Sequence, residues 1–289
     1  MKGIILAGGR ATRLLPSTIG VSKQLLPVFD KPMIYYPLST LIHAGVNEIL
    51  LITSPSEIEK FQKLLGDGSQ FGITIDYCVQ QKPKGIAQGI QLAEKFLSGK
   101  DFWFILGDNL FHGPEFGNKL RSNTYSAGAT IFCYHVNDPS AYGVVTFDEH
   151  DNKIMELIEK PESSTSKWAI PGLYRFDATA IEKSKQLQPS FRGELEIIDL
   201  LRLYLYEDKL RALKISRGNA WFDLGTPTSL LQASNFVSLI QERQGLLVGS
   251  PEEASFFAGR KSKEAIKSYL ENINNPIYTN RILDSIGGQ

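Results

Sequence analysis

The stretch Leu6-Ala7-Gly8-Gly9-Arg10-Ala11-Thr12-Arg13-Leu14 sets two glycines directly after an apolar run. Without Cβ atoms the backbone there can approach a ligand closely and turn its amides inward, which suits phosphate oxygens. Arg13 adds a planar, permanently charged donor. The pattern lacks the third glycine of the dinucleotide fingerprint and the GK[ST] of a Walker loop. An ordinary strand-to-helix turn would use the same glycine pair. In Ser22-Lys23-Gln24-Leu25-Leu26-Pro27-Val28 a lone lysine precedes an apolar run, either solvated or, beside the glycine loop, a second phosphate clamp.

Gly107-Asp108-Asn109 ends another apolar run, where a carboxylate can hold Mg2+ beside substrate phosphates or close an Asx turn. One carboxylate holds Mg2+ poorly without a second oxygen donor. Trp221-Phe222-Asp223-Leu224-Gly225-Thr226 offers Asp223, which could instead help cap a helix starting at Thr226. Lys160, in Glu159-Lys160-Pro161, and Arg192, in Phe191-Arg192-Gly193, are further cations that also read as surface charges. His43, His112, His135 and His150 are scattered without a catalytic partner, and no Ser-His-Asp or Cys-His arrangement is visible.

These residues need a frame, and the hydrophobic pattern supplies one. Ile4 to Ala7, Glu48 to Thr53, Ile73 to Val79 and Phe102 to Leu106 read as strands. Between them, Pro32 to Ala44, Pro55 to Leu65 and a segment from Ile86, with Ile90, Ala93 and Leu97 on one face, read as helices. Alternation of this kind predicts an α/β fold with a Rossmann-like, mostly parallel central sheet flanked by helices. Ligands of such sheets bind at the carboxyl ends of strands, where the loops after Ala7 and Leu106 lie. After Gly128 the strands Ala129 to Val136, Gly143 to Phe147, Lys153 to Ile158 and Ala169 to Phe176 suggest mixed or antiparallel additions. Glu194 to Tyr206 reads as a helix, Leu210 to Ser216 as a strand, and Thr226 to Arg243 as a long helix. The remainder reads as an appended C-terminal helical segment.

The 289 residues suffice for one large domain with an appendage. Lys plus Arg and Asp plus Glu balance at 31 each, which argues against a coat for nucleic acid or an anionic membrane. Cys78 and Cys133 lie in apolar runs without metal spacing and read as two buried thiols in a reducing compartment. With neither a signal-peptide pattern nor an apolar run approaching the ~18 residues of a membrane span, the expected location is cytoplasmic.

Together, Ile4-Ile5-Leu6-Ala7-Gly8-Gly9 with Thr12-Arg13-Leu14, Ser22 to Pro27 and Lys31-Pro32-Met33-Ile34-Tyr35-Tyr36 resemble the sugar-nucleotide pyrophosphorylases. So do Leu65-Gly66-Asp67-Gly68, Gly107-Asp108-Asn109, His135 to Pro139, Tyr142-Gly143-Val144-Val145, Glu159-Lys160-Pro161, Arg192 to Glu196 and Glu242 to Gly245. The resemblance implies transfer of a nucleoside monophosphate from dTTP to glucose 1-phosphate, opening dTDP-rhamnose and deoxysugar synthesis. UTP or another sugar phosphate, or a catalytically dead regulatory subunit, are the rival readings. It further implies Mg2+ on Asp108 and Asp223, and Gly8, Gly9, Arg13 and Lys23 around the triphosphate, with Leu6 and Gln24 beside the nucleotide. Gln80 and Gly85 would face the base. Tyr142, Gly143, Glu159 and Gly172 would line the sugar pocket, with Lys160, Arg192 and Lys23 toward the sugar phosphate. Arg13, Lys23, Asp108 and Asp223 would carry the catalysis. A nucleotidyltransferase core over residues 1–245 follows, its nucleotide part near 1–125 and its sugar-phosphate part near 126–225, with 246–289 appended. A homotetramer and product feedback near that appendage are also implied.

Three positions depart from the family pattern. Arg10-Ala11 stands where Ser-Gly is usual, Pro171 where Thr is common, and Leu224 where Thr usually follows the second Asp. Ala11 is compatible with most backbone paths unless its φ is positive.

Overall fold

A computed structural model describes residues 1–9, 11–122, 127–150 and 153–287. The N-terminal half runs β1 (Lys2–Leu6), a short hairpin of β2 (Pro27–Val28) and β3 (Lys31–Pro32), α1 (Tyr35–His43), β4 (Glu48–Thr53), α2 (Ile58–Leu65), β5 (Thr74–Val79), α3 (Ile86–Leu92), α4 (Glu94–Leu97) and β6 (Phe102–Leu106). There follow β7 (Asn109–His112), α5 (Phe116–Ser122), β8 (Ala129–His135), β9 (Gly143–Phe147), β10 (Ile154–Glu159), β11 (Trp168–Ile170), β12 (Leu173–Phe176), α6 (Ala180–Lys185), α7 (Ile197–Tyr206), β13 (Leu210–Lys214) and β14 (Ala220–Asp223). The chain ends in α8 (Pro227–Gln244), α9 (Pro251–Phe257), α10 (Lys263–Ile273) and α11 (Pro276–Ser285).

The strands β6, β1, β4 and β5 lie side by side and parallel, and successive residues alternate between two cores. Ile5, Ile49, Leu51, Trp103 and Ile105 face α1 and α2, whereas Ile4, Leu50, Ile52, Phe102 and Phe104 face α3, α6 and α7. Burial on both faces explains why these strands read as continuous apolar runs. The sheet continues through β12, β8, β11, β9 and β10 by antiparallel pairing, with β13 parallel to β8.

Ala169 to Phe176, expected as one strand, is two. Pro171 has no N–H for a ladder, and the chain kinks there, with Leu173 N donating to Pro171 O at 2.8 Å. The pieces on either side still follow β8, β11 at Tyr134 and His135 and β12 at Ala129 to Ile131. The expected helix from Ile86 to Leu97 is likewise interrupted at Ala93, and that from Pro32 starts only at Tyr35, because Lys31 and Pro32 are paired with Val28 and Pro27.

One element had no sequence signature. The four-residue strands β7 and β14 pair antiparallel as a separate ribbon, placing Asp223 opposite Asn109 and Ala220 opposite His112. Immediately after it, Thr226 caps α8 through a reciprocal box with Ser229, its Oγ1 accepting from Ser229 N at 3.1 Å. Asp223 is therefore not needed as a cap.

The C-terminal helices are fastened to this frame. Lys31, 3% exposed, donates to Asp30 at 2.5 Å, Gln241 Oε1 at 3.2 Å and Val248 O at 3.1 Å. Burial lowers its pKa and the Asp30 carboxylate opposes that shift. Ser255 of α9 donates to Phe71 O at 2.8 Å, and Leu247, Ile266, Leu270, Ile282 and Ile286 form a small core of their own. Cys133 is buried, Cys78 half-buried, and both are free. No helix among the described residues is long and apolar enough to cross a membrane.

Candidate active site

The carboxyl ends of β1 and β6 open onto a cleft with two lobes. The smaller, about 190 Å3, is lined by Leu6, Gly8, Gly9, Lys23, Gln24, Gln80, Gly85 and Asp108. The larger, about 620 Å3, is lined by Arg13, Asp108, Tyr142, Gly143, Glu159, Lys160, Gly172 and Asp223. Ile86, Leu106, Asp108 and Glu194 belong to both, so the lobes meet at Asp108. Every candidate residue from the sequence lines one lobe or the other except Arg192. That guanidinium donates to Glu159 Oε1 at 3.0 Å and to Glu196 Oε2 at 2.8 Å, with Glu194 3.9 Å away. Its charge is thus already matched by carboxylates, one of which, Glu159, faces the larger lobe.

The glycines matter through what a side chain would strike. A Cβ on Gly8 would lie 2.5 Å from Gln80 Oε1, one on Gly225 2.5 Å from Arg13 Nη2, and one on Gly172 2.5 Å from Leu106 Cδ1. In the glycine loop Gly9 has φ 107° and Ala11 has φ 47° and ψ 37°. Ala11 therefore occupies the left-handed conformation for which the family's usual glycine is suited. Arg10 lies outside the described residues.

Two carboxylates dominate the floor. Lys23 Nζ donates to Asp108 Oδ2, and Asn109 Nδ2 donates to Asp108 Oδ1 at 3.1 Å. The orientation of that Asn109 amide is forced, because its Oδ1 accepts from two groups that only donate, Trp221 Nε1 at 2.6 Å and Gly172 N at 3.2 Å. Burial pushes the Asp108 carboxyl up, but Lys23 and Asn109 outweigh it and hold the group below its usual range. Asp223 is driven the other way, to about 6, by burial and then by the charge of Asp108, against the opposing charges of Lys23, Arg13 and Lys160. Arg13 Nη2 stands 4.0 Å from Asp223 Oδ2.

Among the described residues no group of three or more His, Cys, Asp or Glu could hold a metal. A pair of mutually repelling carboxylates at the junction of two lobes is nonetheless a fitting donor set for Mg2+. That ion takes hard oxygens and is commonly held by one or two carboxylates, with substrate phosphates completing its shell.

In the larger lobe Tyr142 packs edge-on against Trp221, ring centroids 4.9 Å apart. Lys160 has φ 43° and donates its N–H to Tyr142 O at 3.0 Å, which turns the Glu159-Lys160 step across the lobe. Glu194, Tyr174, Asn109 and Trp221 also line this lobe, and their part in it was not deduced from sequence. Trp221 and Asn109 were visible in the motifs, but their hydrogen bond depends on the β7–β14 ribbon.

A sequence profile of the nucleotidyl transferases matches residues 2–239. The chain is 49% identical over 276 residues to the glucose-1-phosphate thymidylyltransferase of Mycolicibacterium smegmatis, covering 93% of this chain and 96% of that protein. It is 48% identical to the enzyme of that name from Neisseria gonorrhoeae, covering 99% and 100%. A solved Bacillus anthracis structure described as a glucose-1-phosphate thymidylyltransferase with sucrose superposes with TM-score 0.75 at 37% identity, over 82% of this chain and 94% of that one. A UDP-glucose pyrophosphorylase with UDP-glucose shares the fold, with TM-score 0.71 at 23% identity over 84% and 99%. The chain belongs to the nucleotidyl transferase family.

Proposed function

We propose that this chain is a glucose-1-phosphate thymidylyltransferase, making dTDP-glucose and pyrophosphate from dTTP and glucose 1-phosphate. The observation that carries the reading is the two-lobed cleft, whose lobes meet at Asp108 with Lys23 and Arg13 beside the junction, in a chain similar over nearly its full length to enzymes of that name.

In the reaction a phosphate oxygen of the sugar phosphate attacks the α-phosphorus of the triphosphate, and the bond to the pyrophosphate oxygen breaks. Both reactants are anions, so the protein has to offset their repulsion and align the attack. The smaller lobe takes the nucleotide: Gly8 and Gly9 let the backbone approach the phosphates, Leu6 and Gln24 flank the nucleoside, and Gln80 and Gly85 meet the base. The larger lobe takes the sugar between Tyr142, Gly143, Glu159 and Gly172, with Lys160 toward its phosphate. Lys23 serves both substrates from the junction, and Arg13 approaches the triphosphate from the Asp223 side. Arg192 orients Glu159, and it reaches the sugar phosphate only by exchanging one carboxylate for it. Bound on Asp108 and Asp223, Mg2+ would neutralise phosphate charge at the junction. No side-chain nucleophile is required.

Pyrophosphate release across a panel of triphosphates and sugar 1-phosphates tests this reading. We expect dTTP with glucose 1-phosphate to be the best pair and UTP to react measurably, since one methyl group in an apolar pocket distinguishes substrates by only ~1–3 kcal/mol. Release with no pair at all would leave a binding subunit without catalytic activity.

A further inference from the structure

We propose that Gln88, outside both lobes, is a positioning residue. It fixes the Gln80 amide so that its oxygen faces the nucleotide lobe, selecting a pyrimidine whose ring carries an N–H over cytosine. The inference rests on the nucleotide assignment above.

The orientation follows from a donor that cannot be mistaken. Lys84 N, a backbone N–H, donates to one side-chain atom of Gln88 at 2.9 Å, so that atom is the amide oxygen. The same oxygen lies 2.8 Å from the Gln80 amide, so the Gln80 atom meeting it is the nitrogen. The Gln80 oxygen is therefore turned away from Gln88. It lies beside Gly8, where a Cβ would come within 2.5 Å of it, and both residues line the smaller lobe.

The relay is held from outside the lobe as well. Leu195 N donates to Lys84 O at 2.7 Å and Ala87 N to Leu195 O at 3.2 Å. Gly85 sits so close to Leu195 that a Cβ would meet its backbone nitrogen at 2.5 Å. This backbone clamp fixes the start of α3, and with it the distance between Lys84 N and Gln88. Gln80 is 4% exposed and has little room to reorient while its nitrogen is engaged.

A fixed acceptor at this wall pairs with the ring N3–H of thymine or uracil. Cytosine presents a lone pair at N3 and meets oxygen with lone pair against lone pair. Gln88→Met removes the acceptor that holds Gln80 and frees its amide to turn over. Gln88→Glu keeps an oxygen for both donors.

The test measures kcat/KM for dTTP and dCTP in wild type, Q88M and Q88E, with wild-type turnover of N3-methyl-dTTP as a measurement that needs no variant. Expected are a fall of about 10-fold in the dTTP-to-dCTP ratio for Q88M, about the worth of one hydrogen bond, a ratio near wild type for Q88E, and rejection of N3-methyl-dTTP. A Q88M ratio equal to wild type, a Q88E ratio as low as that of Q88M, or N3-methyl-dTTP used as well as dTTP each overturns the proposal. Wild type releasing no pyrophosphate from dTTP overturns the nucleotide assignment instead.

Discussion

The Lys23–Asp108 pair makes the sharpest prediction, because stability and activity should respond to it differently. Both side chains are largely shielded, at 15% and 11% exposed. Replacing Lys23 by Met strands the Asp108 carboxylate beside Asp223, its remaining polar support being the Asn109 amide at 3.1 Å. Replacing Asp108 by Asn leaves the ammonium against a neutral amide, with the more distant Asp223 as its remaining counter-charge. Breaking a buried pair from one side costs about 3–5 kcal/mol. The double variant, Lys23→Met with Asp108→Asn, leaves no lone charge, so its loss should fall short of the summed single losses by about 1–3 kcal/mol. Activity should show no such recovery, because both groups are needed at the lobe junction, and each single variant should lose at least ~10²–10³ in kcat. Denaturant unfolding of the nucleotide-free protein and pyrophosphate release measure the two quantities on the same preparations. Losses of stability that add within ~0.5 kcal/mol would refute the coupling, and wild-type turnover in either single variant would refute the site.

Other perturbations test other parts of the argument. Asp223 keeps its proton to about pH 6 when folded but only to about 3.8 when unfolded. The folded chain thus binds more protons between those values, and metal-free stability should fall as pH rises from about 4 to about 6. Asp223→Asn should flatten that slope in a pH series of unfolding curves, and added Mg2+ should stabilise the wild type more above pH 6 than below it. Lys31→Met should cost about 1–3 kcal/mol in unfolding experiments by leaving the Gln241 and Val248 acceptors without their donor, Asp30 keeping Gln241 and Arg281 as partners. KM for both substrates should be unchanged because Lys31 lies outside the cleft. At Ala11, the left-handed backbone costs an L-residue roughly 1–2 kcal/mol, while glycine adds about 0.4–1 kcal/mol of unfolded-chain freedom. Ala11→Gly should therefore raise global stability by between about 0 and about 1.6 kcal/mol and lower nucleotide KM, whereas Ala11→Val should raise that KM, the KM values read from steady-state kinetics.

Where burial alone decides the structure, the sequence was readable. β4 and β6 are apolar because both faces are covered, and their predicted limits coincide with Glu48–Thr53 and Phe102–Leu106. Residues whose meaning depends on distant partners were less legible. Pro171 looked like part of a strand because the residues around it are apolar, yet it is where the chain changes ladder. Asp223 was found by asking what Asp108 would need, not by the β14 strand that carries it, since a four-residue strand has too short a period to stand out. Arg192 was recognised as a cation, but the three glutamates around it are two, four and thirty-three positions away, and their convergence appears only in three dimensions. Gln88 gave no signal, because an uncharged side chain on a helix becomes informative only when its acceptor is seen to hold two donors.

The β7–β14 ribbon has an implication for how the enzyme can diversify. Its antiparallel rungs bring His112 opposite Ala220, so the chain leaves for the larger lobe and returns from it at the same place. Residues 113–219 are in this sense a cassette closed by a clasp, and the clasp itself carries one acid and follows directly on the other. On the proposed assignment, rebuilding the cassette would change which sugar phosphate is accepted, while the acid pair and the glycine loop would keep their mutual geometry. Exchanging that segment with a relative that uses a different sugar phosphate should therefore alter acceptor preference, and it should leave the choice of nucleotide unaltered where the relative keeps the backbone clamp that Leu195 places on Lys84 and Ala87.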